Sequence, residues 1–156
     1  MIDSVKLTSK DIPTDHYSRL TTEKRREHSM LLEKLDHFVL PVSDIDNIAR
    51  FYTTYLGMEK RVFGEDRVAL HYGDQKINLH PAGWDYEPKA RVSIAGSADL
   101  CFIVSEQVEL LQESLVSSGV EIIKGPVVRT GATGCLRSIY VRDPDGNLIE
   151  LSNRVE

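Results

Sequence analysis

The feature that most constrains this chain is that it repeats itself. Leu35-Asp36-His37-Phe38-Val39-Leu40 and Asp99-Leu100-Cys101-Phe102-Ile103-Val104 are short apolar runs of strand character, and each leads into an amphipathic stretch that stops at a glycine. Gly57 lies twenty residues after His37, and Gly119 lies twenty after Asp99. A second correspondence accompanies the first. His80 ends Gly73-Asp74-Gln75-Lys76-Ile77-Asn78-Leu79-His80, and Glu150 ends Asp143-Pro144-Asp145-Gly146-Asn147-Leu148-Ile149-Glu150, each seven residues past the start of its run. A duplicated unit folded with approximate two-fold symmetry accounts for such spacing. On that symmetry His37 pairs with Asp99 and His80 with Glu150, so two imidazoles and two carboxylates stand where they can converge on one divalent metal.

Each unit reads as βαβββ, which makes the chain α+β. In the first, Ser43 is the expected N-cap, with Asp44 and Asp46 in a first turn that favours carboxylates. Ile45, Ile48, Ala49, Tyr52, Tyr55 and Leu56 then recur at helical spacing, and Gly57 fits a left-handed C-terminal position. Strands are expected at Glu59–Phe63, Val68–Tyr72 and Lys76–His80. In the second unit Ser105 is the expected cap of a helix that buries Val108, Leu111, Leu115 and Val116 and ends at Gly119. A strand is expected at Glu121–Lys124, then a glycine-rich loop over 125–134. That loop lacks the GxxxxGK[ST] order of a phosphate-cradling loop. Ser138–Arg142 and Asn147–Ser152 close as a hairpin through Pro144-Asp145-Gly146-Asn147, a good turn sequence. The organisation expected is a polar arm over 1–31, with a short helix starting at Thr21 or Thr22, and a single domain over 32–156. Within the domain, module one is 32–81, a Pro- and Gly-rich linker carrying the only Trp (Trp84) is 82–96, and module two is 97–154.

Strand side chains alternate between faces. If Phe38, Leu40, Ile77, Leu79, Leu100, Phe102, Ile149 and Leu151 pack under the helices, then His37, His80, Asp99 and Glu150 all fall on the opposite face. Imidazole and carboxylate suit Zn, Ni, Mn, Fe or Co. Each position has a second reading, as a hydrogen-bonded core histidine or one member of an ion pair, and both remain open here. Arg129 and Arg137, near the last hairpin, are candidates for clamping an anionic substrate, and Trp84 for lining its pocket. Tyr72 and Tyr140 are expected in the core. Cys101 lies on the proposed cavity face with no histidine beside it in sequence.

Composition excludes several classes. The formal net charge of −5 and the absence of a basic block argue against nucleic acid or an anionic membrane as the main partner. No stretch approaches the ~20 apolar residues of a membrane helix. Two cysteines, Cys101 and Cys135, outside any CxxC, read as free thiols in a reducing, cytoplasmic setting.

Leu35-Asp36-His37, Phe51-Tyr52-Thr53 with Leu56-Gly57-Met58, Gln75-Lys76-Ile77-Asn78-Leu79-His80 and Asp143-Pro144-Asp145-Gly146-Asn147-Leu148-Ile149-Glu150 together resemble the vicinal-oxygen-chelate superfamily. That superfamily includes glyoxalase I, bleomycin-resistance proteins, fosfomycin-resistance enzymes and extradiol dioxygenases. The similarity spans about Leu32 to Arg154 and is nearest to small glyoxalase-domain-containing, lactoylglutathione-lyase-like proteins. It implies paired βαβββ modules forming a cup-shaped mixed sheet, commonly as a homodimer. It also implies a divalent metal held by His37, His80, Asp99 and Glu150. The bacterial glyoxalase I order is His, Glu, His, Glu, so the middle two types are exchanged here and one is the shorter Asp. Pro41 stands where glyoxalase I carries an arginine. The function implied is a glyoxalase I-like lyase or isomerase acting on a small oxygen-chelating substrate such as a thiol hemithioacetal. Glu150 is then the general base and His80 its counterpart. A redox alternative places Fe²⁺ on His37, His80 and one carboxylate to cleave a catechol-like ring, and a third reading is a metal-free drug- or metabolite-binding protein.

Overall fold

The computed structural model describes residues 31–85 and 87–155. The described residues from Leu35 onward form one compact unit. The expected polar arm over 1–31 lies outside the described residues except for Leu31, as does the expected helix up to position 30; that helix is expected to run on to Lys34, but residues 31–34 are not helical.

Module one runs β1 (His37–Val42), α1 (Ile45–Leu56), β2 (Glu59–Phe63), β3 (Arg67–Tyr72) and β4 (Gln75–Pro81). Module two runs β5 (Asp99–Ile103), α2 (Val108–Ser117), β6 (Lys124–Gly131), β7 (Gly134–Arg142) and β8 (Leu148–Arg154). Both modules are βαβββ, as expected. Their strands form two four-stranded mixed sheets, ordered β1-β4-β3-β2 and β5-β8-β7-β6, with the first and last strands of each module parallel. The α+β fold follows from period-2 runs alternating with a period-3.6 run in each half.

One core holds the unit together. Leu40, Val42, Ile77 and Leu79 from the first sheet and Ile139, Val141, Ile149 and Leu151 from the second join Ile48, Tyr52, Val108 and Leu115 in a single buried cluster. The apolar alternate residues therefore face the helices, and the polar alternates face away. Two polar latches tie the modules together. The Tyr52 hydroxyl donates to Asp143 Oδ2 at 3.1 Å. Ser43 donates to Asp145 through both its backbone N–H, at 2.9 Å, and its hydroxyl.

Three local expectations are corrected. Asp44, not Ser43, caps α1, its carboxylate accepting from Asn47 N–H at 2.9 Å. Ser105 does not cap α2. Asn153 of β8 does so from across the sheet, accepting from Val108 N–H at 2.7 Å while its amide donates to the Val104 and Glu106 carbonyls. A cap supplied from 45 residues away has no local signature. The third correction concerns β6, which begins at Lys124 and runs through most of the expected loop. Val127, Val128 and Thr130 are good strand formers. Pro126 has no N–H, yet is accommodated because β6 is an edge strand with a register shift between Lys124 and Val127. Gly125 is required there: at φ +118° a β-carbon would lie 2.5 Å from the Ser138 carbonyl oxygen.

Candidate functional site

The strand register decides which residues are equivalent between the modules. In module one His37 stands beside Lys76 and Val39 beside Asn78; in module two Asp99 stands beside Leu148 and Cys101 beside Glu150. His37 and Asp99 are therefore equivalent, as the repeat predicts. The equivalent of Glu150 is Asn78, and His80 corresponds to Ser152. This corrects the pairing of His80 with Glu150.

His80 pairs with Pro41, four residues along the strands from the His37–Lys76 pair, about 13 Å at the rise of a strand. Strand side chains stand perpendicular to the sheet and cannot close such a gap along it. His37 with Asn78, and Asp99 with Glu150, are instead diagonal neighbours on the polar faces. Each module thus carries the same two-donor diagonal. Among the described residues no three His, Cys, Asp or Glu side chains form a metal-binding group, so the four donors expected to converge do not do so within one chain.

Each half-site is supported from behind. Asp36 Oδ1 lies 2.7 Å from His37 Nδ1. A carboxylate on Nδ1 fixes the tautomer and turns the Nε2 lone pair outwards, the usual arrangement behind a ligating histidine. Asn78 is only 8% exposed, and its Oδ1 is buried without a hydrogen-bond partner. A buried carbonyl oxygen without a donor costs about 1–3 kcal/mol, a cost that a ligand at that oxygen would remove.

In module two Glu150 faces a polar network. Ser152 Oγ donates to it at 3.4 Å and shares a 2.8 Å hydrogen bond with Ser138 Oγ, and both serines are fully buried. The Tyr140 phenol stands between Glu150 and Arg129, accepting from Arg129 Nε at 2.9 Å. Burial is the main cause that raises the Tyr140 hydroxyl above its ordinary value, with the Arg129 hydrogen bond opposing it. Tyr140 is consequently a polar-face residue rather than a core one. Burial likewise pushes the Cys101 thiol up, and the Glu150 charge adds to this, so Cys101 stays protonated. Cys101, Ile103, Leu136, Glu150 and Arg154 line a cavity of about 370 Å³ here.

The remaining candidates separate. Arg129 is committed to Tyr140 on the polar face. Arg137 turns the other way and pairs with Glu109 of α2, so it belongs to the helix face and not to a cavity beside Glu150. Trp84 is 60% exposed and lines a second cavity, with Arg67 and His80. Burial first, and then the Arg67 charge, lower the His80 imidazole below its ordinary value, which keeps it neutral near pH 7.

Paired βαβββ modules, each with a donor diagonal on the sheet face away from its helix, define a two-module scaffold built by duplication. Comparison with known proteins gives the family. Residues 34–151 match the profile of the Glyoxalase/Bleomycin resistance protein/Dioxygenase superfamily, and the chain belongs to that superfamily. It is 50% identical to the virulence protein STM3117 of Salmonella typhimurium over 126 residues, covering 81% of this chain and 88% of that protein. The crystal structure of that relative superposes with a TM-score of 0.78, covering 81% of this chain and all of that one. The glyoxalase domain-containing protein RDO1 of Mycosarcoma maydis is 47% identical over 131 residues, 84% of this chain and 74% of its own length. A lactoylglutathione lyase from Agrobacterium tumefaciens shares the fold at 20% identity, with a TM-score of 0.62 over 79% of this chain and 95% of that one.

Proposed function

We propose that this chain is a divalent-metal-dependent enzyme of the glyoxalase I-like type, acting on a small substrate that presents two neighbouring oxygens. The carrying observation is the repeated donor diagonal with an orphaned oxygen at its centre: His37 backed by Asp36, Asn78 with a buried, unpartnered Oδ1, and Asp99 with Glu150 in the equivalent places. One nitrogen and three oxygens suit Mn, Fe, Co, Ni or Zn. Since the two half-sites do not meet in one chain, a homodimer supplies each complete site, His37 and Asn78 from one copy and Asp99 and Glu150 from the other.

A metal bound there would polarise the substrate oxygens as a Lewis acid. The chain's own residues do the rest. Glu150 would take a proton from the carbon beside the substrate carbonyl and return it to the neighbouring carbon, which requires a carboxylate with one oxygen turned to the substrate. Ser152 and Tyr140 hold that carboxylate in place, and Arg129 holds Tyr140. The neutral thiol of Cys101 and the small cavity around it fit an apolar substituent of the substrate. No helix of the described residues is long and apolar enough to cross a membrane. Together with the free thiols Cys101 and Cys135 this supports work in the cytoplasm.

The test is a metal titration of chelator-stripped protein. One divalent ion per chain is expected to bind, with Asn78→Ala and Glu150→Ala each weakening affinity about 10–100-fold while the far-ultraviolet circular dichroism is unchanged. Full uptake by the Glu150 variant would refute the site. No uptake by the wild type would leave the metal-free binding-protein reading in its place.

A further inference from the structure

The polar face of the first sheet carries a cationic group that the metal reading does not use. Arg67 and Lys76 both stack on Phe63, the Arg67 guanidinium carbon 4.7 Å and the Lys76 Nζ 4.3 Å from the ring centroid. Neither cation is ion-paired with a carboxylate among the described residues, although the whole chain carries a net charge of −5. Neighbouring Arg61, by contrast, is paired with Glu59 at 2.6 Å. Two like charges gathered at one ring repel each other, and a nearby anion would relieve this.

The position of Arg67 is built into the β2–β3 turn. Gly64, at φ +55°, has no side chain, and a β-carbon there would fall 2.9 Å from an Arg67 Nη. The guanidinium lies close to both this bare backbone and the Phe63 ring, and its forked N–H groups suit a planar oxyanion. Arg67 also forms a wall of a cavity of about 440 Å³, together with His80, Pro81, Trp84 and the apolar Ile45, Val68 and Leu79. Glu65 and Asp66 line the same cavity from the exposed turn, and neither is ion-paired with Arg67. The cavity therefore brings a guanidinium, apolar side chains and an exposed indole together.

We propose that the Arg67–His80–Trp84 cavity is a binding site for a small aromatic acid, its carboxylate or phosphate held by Arg67 and its ring laid against Trp84, with the nearby Lys76 charge adding to the attraction. This site lies in module one alone and requires neither a metal nor a second chain. It also gives His80 a role, as a neutral N–H donor or acceptor in the wall, after the register removes it from the donor diagonal.

Trp84 is the only tryptophan, so its fluorescence reports on this cavity directly. The full-length chain, stripped of metal with chelator, is titrated with benzoate, phenyl phosphate and benzamide. A saturable change with either anion and none with benzamide is expected, and the effect should weaken as salt is raised. Arg67→Gln should weaken the anion about tenfold, and Lys76→Gln should weaken it less. Tighter binding of phenyl phosphate assigns the site to phosphate monoesters, and tighter binding of benzoate assigns it to aryl carboxylic acids. Equal responses to benzamide and benzoate, or unchanged affinity in Arg67→Gln protein of normal thermal stability, would overturn the proposal. Because the titration is done without metal, its outcome is independent of the metal titration above.

Discussion

Asp143→Ala is expected to be among the most destabilising single substitutions in the chain. Asp143 is 4% exposed and its carboxylate accepts four hydrogen bonds: from Asp145 N–H at 3.0 Å, Asn147 N–H at 2.9 Å, Asn147 Nδ2 at 2.7 Å and the Tyr52 hydroxyl at 3.1 Å. Three of these four donors, the Tyr52 hydroxyl and both Asn147 groups, belong to fully buried residues that water cannot reach in compensation. Removing the shared acceptor loses charge-assisted bonds and leaves buried donors unpaired, together about 3–5 kcal/mol. For a chain of this length that is a fall of about 10 °C in Tm, measurable by calorimetry. Tyr52→Phe removes only one of the four bonds and should cost about 1 kcal/mol. A decrease for Asp143→Ala no larger than that for Tyr52→Phe would show that the turn holds itself without the carboxylate.

The same contact sets an alkaline limit. Burial, and then the facing Asp143 charge, push the Tyr52 hydroxyl far above its ordinary value. A group whose ionisation is raised by folding contributes stability in full below its unfolded value, near pH 10 for tyrosine, and loses it as pH rises beyond that. Stability should therefore be flat around neutrality and fall above about pH 10, with the fall reduced in Tyr52→Phe. An identical alkaline limb in the two proteins would remove Tyr52 as its cause.

The repeat in the sequence was legible because it is written in two local signals, the strand run and the glycine that ends each helix. It gave the βαβββ order, the inward alternate residues and the equivalence of His37 with Asp99. It failed where it was counted from turns. The β3–β4 turn is Gly73-Asp74, whereas the β7–β8 connection takes five residues, Asp143 to Asn147. Seven residues from the start of each turn thus land on different rows of the two sheets. Aligning the buried pairs instead, Ile77 and Leu79 with Ile149 and Leu151, places Asn78 opposite Glu150 without any coordinates. Asn78 could have been found that way. The Asn153 cap on α2 and the Arg137–Glu109 pair could not, because both join residues distant in sequence through the packing of a helix on a sheet. The pairing of Arg67 and Lys76 on Phe63 is equally non-local, since it depends on three strands lying side by side.

Mixing two inactive variants should restore half of the metal sites. In a two-fold dimer, each complete site takes His37 and Asn78 from one copy and Asp99 and Glu150 from the other. His37→Ala homodimers and Glu150→Ala homodimers each lack a donor in both sites. In a mixed dimer both lesions fall in one site, and the other is assembled from the intact half of each chain. Exchanging subunits by mild denaturation and refolding, then isolating the mixed species through two different affinity tags, should give one tightly bound ion per two chains. The affinity at that site should match the wild type, and each parent should remain about 10–100-fold weaker. If instead all donors meet within one chain, both copies of the mixed dimer keep their lesion and nothing is recovered. If dimers pair like modules with like, a site would need His37 and Asn78 from both copies, and Glu150→Ala alone would bind normally. Only the first arrangement gives a tight ion in the mixed dimer, and the other two, which both give none, are separated by whether the Glu150→Ala parent binds normally.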